Sequence, residues 1–208
     1  MFNIFKKKEE KMTEPKAFIF IGRSGCGKGT QVELFKKILE EKTGLKDIHV
    51  ETGAFFRKFI QGDGYTQELT KQVLNTGGLM PESFVIGLWV SHLMNNFTGK
   101  ENLIFDGAPR KLQEAILLDG TLNFYGVKNY KVIYVNVSKD WASKRLLARG
   151  RKDDTEEGIS KRMAWFENDV IPCVDYFRKN TNCEVVEING EQSIEDVHKE
   201  LMNKVFNQ

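Results

Sequence analysis

Short apolar runs alternate with longer helical patterns along the whole chain. The runs are Ala17–Ile21, Ile48–Val50, Leu103–Phe105, Val132–Val137 and Val185–Ile188. Each is bounded by polar residues or glycine and is rich in β-branched or aromatic side chains, as strands buried on both faces tend to be. Between them, Gln31–Glu41 carries Val32, Phe35 and Leu39 at helical spacing and stops near Gly44, a candidate C-terminal cap. Ile159, Met163, Phe166 and Val170 repeat at helical spacing and predict a second buried helix face. Strand–helix alternation of this kind implies an α/β fold of three layers, a parallel sheet covered by helices on both sides. There is no internal repeat and no low-complexity block.

Composition agrees with a globular domain. The 208 residues are 40% hydrophobic and 29% charged, and the formal net charge of +2 gives no support to broad nucleic-acid binding. No apolar run is long enough to span a bilayer, so no membrane partner is expected. The N-terminal MFNIFKKKEEKMTEP lacks the apolar core of a signal peptide, and a cytoplasmic protein is expected. Residues 1–13 read as a solvated tail ahead of a single domain at 14–208. Cys26, Cys173 and Cys183 form no CxxC pair, so neither a disulfide framework nor a structural zinc site is expected.

The chemistry begins where the first strand ends. Gly22-Arg23-Ser24-Gly25-Cys26-Gly27-Lys28-Gly29-Thr30 follows a strand and opens a helix, the context that marks a phosphate-binding loop. Glycines let successive backbone N–H groups turn toward phosphate oxygens, the helix N-terminus adds its positive end, and Lys28 brings a mobile charge. Later motifs follow in order. They are Thr52-Gly53-Ala54-Phe55-Phe56-Arg57, Gly77-Gly78-Leu79-Met80-Pro81, Asp106-Gly107-Ala108-Pro109-Arg110, and then Arg145, Arg149, Arg151 and Arg162, with Asn189-Gly190 after the last strand.

From about Ala17 to the C-terminus this series resembles the adenylate kinase family of nucleoside monophosphate kinases, in its short-lid form. The resemblance implies a sheet order of 2-3-1-4-5, a helical acceptor-binding insert at about 49–79 and a lid at about 149–158. It implies phosphoryl transfer from ATP to a nucleoside monophosphate, with Mg²⁺ accompanying ATP and a monomeric enzyme. Gly25, Cys26, Gly27, Lys28, Gly29, Thr30, Arg145, Arg149 and Gln192 would then bind ATP. Thr52, Gly53, Arg57, Leu79, Met80, Gly107, Arg110 and Glu114 would bind the monophosphate. Lys28, Arg110, Arg151 and Arg162 would act on the transferring group, and Asp106 would hold magnesium through water.

The set makes physical sense for that reaction. The acceptor phosphate is already ionised near neutral pH, its second pKa being about 6, so no general base is needed. His49, His92 and His198 fall outside every motif. The difficulty is to bring two anions together in line, which calls for converging arginines and a lysine. Asp153 and Asp154 read as groups that orient the lid arginines.

Four positions depart from the family pattern. Ala54 stands where an aspartate is usual, leaving Asp106 more alone at the metal. Ser24 stands for a frequent proline, and the lid is minimal, with only Gly150 between Arg149 and Arg151. Glu114 stands where adenylate kinases usually carry glutamine, while Gln113 comes one residue early. AMP is the expected acceptor, with GMP or CMP/UMP as alternatives. A nucleotide-binding module without turnover is the alternative of a different class.

Overall fold

The computed structural model describes residues 16–206 apart from 152 and 181. The proposed tail, residues 1–13, lies outside the described residues. Five strands, β1 (Ala17–Gly22), β2 (Asp47–Glu51), β3 (Asn102–Asp106), β4 (Tyr130–Asn136) and β5 (Cys183–Asn189), make one sheet in the order β2-β3-β1-β4-β5. All neighbouring strands run parallel. The fold is the expected three-layer α/β arrangement with the expected strand order.

The alternation of side chains along the strands divides the core in two. Ala17, Ile19 and Ile21 of β1 face one cluster, with Val50, Phe105 and Val132 from neighbouring strands. Helices α2 (Thr52–Phe59), α4 (Glu82–Asn96), α5 (Leu112–Phe124) and α8 (Ile171–Lys179) close that side with Phe56, Trp89, Leu118 and Phe177. Phe18 and Phe20 face the other way, where α1 (Lys28–Thr43), α6 (Lys139–Arg149) and α9 (Ile194–Phe206) contribute Phe35, Leu146 and Leu201. Near-continuous apolar strands are what two covered faces demand. The remaining long elements are α3 (Tyr65–Asn75) and α7 (Glu156–Trp165).

Helix ends follow their sequence signals. Gly44 caps α1 in the left-handed region, its N–H bonding Glu40 O. Ser138 and Thr155 cap α6 and α7, their hydroxyls accepting from Trp141 N and Gly158 N.

The second buried helix face is interrupted. Ile159, Met163, Phe166 and Val170 are all buried. After Trp165, however, the helix widens into a π-helical turn over Phe166–Val170 and then continues as α8. Ile159 and Met163 belong to one core cluster, Phe166 and Val170 to the other. No helix among the described residues is long and apolar enough to cross a membrane.

Candidate active site

β1, β2 and β3 end on one edge of the sheet, and the segments that leave them carry the glycine loop, Thr52–Arg57 and Asp106–Arg110. The crevice beyond the carboxyl ends of such strands is where open α/β sheets place their ligands. After β1 the chain turns through Gly25, with φ +91°, and Gly27, with φ +88°, into α1. A Cβ on Gly25 would fall 2.6 Å from Ala142 O, so the loop is pressed against α6 and admits no side chain there. Cys26 is buried beneath it, and burial pushes its thiol up, keeping it protonated and inert. Gly29 and Thr30 lie exposed on the first turn of α1. Arg23 braces the loop from outside, bonding Val137 O at 2.6 Å, pairing with Glu167 and lying 4.4 Å from the Phe166 ring centroid.

Lys28 is ion-paired with Asp106 at the end of β3. Burial alone would push the Asp106 carboxyl up; the Lys28 ammonium overrides it and holds the carboxyl below its ordinary value. The segments Thr52–Arg57 and Asp106–Arg110 meet close by. Thr52 donates its hydroxyl to Gly107 O at 2.8 Å, joining the segment after β2 to the one after β3. Arg57, half exposed, pairs with Glu51 at 2.9 Å. Its guanidinium lies over Gly53, where a Cβ would sit 2.9 Å from Arg57 Nη1.

Asp154 gathers the donors around the start of α7. It accepts two bonds from Arg149 at 2.8 Å, one from Arg162 at 2.8 Å and one from Arg151 N at 3.1 Å. Burial works against its charge, but these donors hold the carboxyl down at about 2. Arg162 is buried and also pairs with Asp153 at 2.6 Å. The cations feel one another across the cleft. Burial depresses Arg110, helped by the charges of Arg162 and Arg57 and opposed by Glu114 and Asp106. Burial likewise depresses Arg151, with Arg149 and Arg57 adding to the effect. Arginines from three separate motifs therefore lie near enough to act on one another.

The residues expected at the two bases are placed as follows. Arg145 is exposed on α6, its guanidinium 5.7 Å from the Trp141 ring centroid. Gln192 donates to Asn189 O at 2.9 Å and Glu200 Oε2 at 2.6 Å, tying the β5–α9 turn together. Leu79 is partly buried and Met80 buried in the turn that leads to α4. Glu114 is only 2% exposed, and its Oε2 accepts the backbone N–H of Arg110 at 2.8 Å. Gln113 is exposed on the same turn. Burial raises the Glu114 carboxyl above its ordinary value, although the Arg110 N–H and charge oppose this. Among the described residues no group of three or more His, Cys, Asp or Glu side chains could hold a metal ion.

Glu51, Arg23 and Trp165 make contacts beside these groups that no motif announces. Glu51 and Arg23 sit inside recognisable segments, but their partners come from the fold. Trp165 bonds a residue 88 positions away and leaves no local signal.

A phosphate loop on the central strand of a parallel sheet, faced by several arginines, defines a nucleotide phosphotransferase site. The family model described as adenylate kinase matches residues 20–182. The chain is 34% identical over 183 residues to adenylate kinase 1 of Nostoc sp., covering 88% of this chain and 95% of that protein. It is 32% identical over 186 residues to adenylate kinase of Corynebacterium aurimucosum, covering 89% and 96%. It is 29% identical over 181 residues to adenylate kinase of Oenococcus oeni, covering 86% and 93%. The chain belongs to the adenylate kinase family and is a nucleoside monophosphate kinase.

Proposed function

We infer that the protein moves the γ-phosphoryl group of ATP reversibly to AMP, giving two molecules of ADP. The observation that carries this reading is the convergence of Arg57, Arg110, Arg151 and Arg162 on the cleft beside Lys28. An acceptor oxygen of AMP attacks the γ-phosphorus, and the bond from that phosphorus to the β,γ-bridging oxygen breaks. The acceptor is already a dianion near neutral pH, so no proton need be removed. Catalysis reduces to alignment and to neutralising charge on the oxygens in flight.

Each group has a role in this reading. The loop amides and Lys28 hold the donor phosphates, and Lys28 exchanges Asp106 for them. Arg57 and Arg110 grip the acceptor phosphate through paired N–H bonds. Arg149, Arg151 and Arg162 close over the transferring group, held in place by Asp153 and Asp154. Arg145 and Gln192 serve the donor adenosine end. Thr52, Gly53, Leu79, Met80, Gly107 and Glu114 border the acceptor. Helices α2 and α3 form the acceptor lobe, and the segment 149–158 forms the lid, whose closure excludes water as a competing acceptor.

Magnesium fits this site as a companion of ATP. Mg²⁺ usually keeps waters and takes few protein ligands, and a single buried carboxylate, Asp106, stands at the strand end. When bound with ATP, Mg²⁺ shields the phosphate charges; Asp106 would hold it through water.

A coupled assay of ADP formation from ATP and each of AMP, GMP, CMP and UMP tests the reading. The highest kcat/KM is expected with AMP. A preference for another monophosphate overturns the acceptor, and binding of ATP with no turnover overturns the reaction.

A further inference from the structure

Arg110 is held unlike Arg57, Arg149 and Arg162. Arg57, Arg149 and Arg162 each have a carboxylate partner, Glu51 for the first and Asp154 for the other two. Among the described residues no carboxylate lies within ion-pair distance of the Arg110 guanidinium, and no hydrogen bond leaves it. Its oriented neighbour is an indole: the guanidinium carbon is 5.5 Å from the Trp165 ring centroid. A carboxylate partner occupies the N–H fork, and an incoming phosphate must displace it. An aromatic face attracts the cation while leaving the fork open.

Trp165 also reaches the acceptor side by its other end. Its indole N–H donates to Gly77 O at 3.1 Å. Gly77 begins the turn Gly77–Pro81 and has φ +68°. A Cβ there would fall 2.8 Å from Gly158 O, so this turn packs backbone to backbone on the start of α7. One side chain thus meets the arginine after β3 and the turn before α4, and it stands immediately before the π-helical turn. Single π turns inside α-helices are frequent at functional sites.

We propose that Trp165 is a positioning residue for the acceptor nucleotide, its ring orienting Arg110 with an open N–H fork and its indole N–H fixing the turn Gly77–Pro81. The proposal rests on the reading of Arg110 as the grip on the acceptor phosphate. Trp165 touches neither reacting atom and acts through its two neighbours.

Kinetics with ATP and AMP varied separately test it, on Trp165→Val, Trp165→Phe, Arg110→Ala and the double variant Trp165→Val/Arg110→Ala. Trp165→Val is expected to raise the KM for AMP roughly fivefold to tenfold, with the KM for ATP within about twofold. Trp165→Phe keeps a ring and loses the N–H, and is expected to recover only the share of the loss owed to the ring; it also serves should the valine variant fail to fold. In the Arg110→Ala background the valine substitution is expected to cost clearly less than in the wild type, since only the bond to Gly77 is left to lose. Unchanged AMP kinetics in Trp165→Val, equal losses for both nucleotides, or fully additive losses in the double variant overturn the positioning role. So does a phenylalanine variant as impaired as valine. If Arg110→Ala itself leaves AMP use intact, the reading of Arg110 falls first and the role of Trp165 falls with it.

Discussion

Lys28, at the start of α1, and Asp106, at the end of β3, are paired across 78 residues of sequence. The pair keeps a buried carboxylate ionised and parks the loop lysine beside the place the donor phosphates would take. Lys28→Ala removes that charge from the transferring group but touches little of the core. Turnover is expected to fall by about 10²–10³-fold or more, and the thermal midpoint to fall as well, because Asp106 is left buried without its counter-charge. Near-wild-type ADP formation by the purified variant would refute the phosphate-loop assignment.

Glu51 and Arg57 give a second test. Both are substantially exposed, so their pair is a weak one, and in the proposed reading Glu51 holds the fork that the acceptor phosphate would take. Glu51→Gln frees Arg57 for the acceptor and is expected to lower the KM for AMP about twofold to fivefold. Arg57→Ala is expected to raise it while sparing ATP. Titration of each nucleotide separately decides the matter, and a weaker AMP interaction in Glu51→Gln would count against the idea.

Asp154 predicts both stability and rate. It is buried and serves Arg149, Arg162 and the Arg151 N–H at once. Asp154→Ala leaves these charges without their partner and is expected to cost about 3 kcal/mol or more, with a large loss of kcat. The sign with pH follows from its depressed value of about 2. The stabilisation from its charge is full above the ordinary aspartate range and is lost as pH falls toward 2. Denaturant melts of the wild type and Asp154→Asn should therefore converge as the pH is lowered from about 4 toward 2. Parallel curves would contradict the assignment.

Glu114 runs the other way. Its carboxyl is raised by burial, so ionisation weakens the fold as pH rises above the ordinary glutamate range. Glutamine can still accept the Arg110 N–H, and it carries no charge to bury. Glu114→Gln is expected to raise the thermal midpoint at pH 7 by roughly 2–4 °C, with the gain fading near pH 4. If the group also faces adenine, which offers one donor and one acceptor, AMP use should improve by up to about tenfold. A variant less stable at pH 7 would show that the carboxylate is needed as an anion.

Local signals were readable in the chain and remote ones were not. The strand, glycine loop and helix at Ala17–Thr43 are written within one stretch, where burial on both faces and a phosphate turn each leave a pattern. The strand order came from resemblance, because periodicity says which residues are buried and not which strands are neighbours. Ile159, Met163, Phe166 and Val170 read as one helix face, and all four are buried. Their division between two clusters, with a π turn between, depends on packing that no spacing encodes. Glu114 and Gln113 differ by a single step along α5, yet one is buried and the other exposed. The Trp165 bond to Gly77 joins segments that meet only after folding.

The division of that helix face also sets the mechanics of the cleft. From Ile159 to Val170 the chain is rooted first on one side of the sheet and then on the other. A rod pinned at both ends in separate cores makes a post and not a lever. Swinging it would open two packed interiors together, far costlier than rotating a few exposed bonds. In the reading proposed above, closure would bring Arg149 and Arg151 toward this post, on which Arg162 and Trp165 already stand as reference points for aligning the substrates.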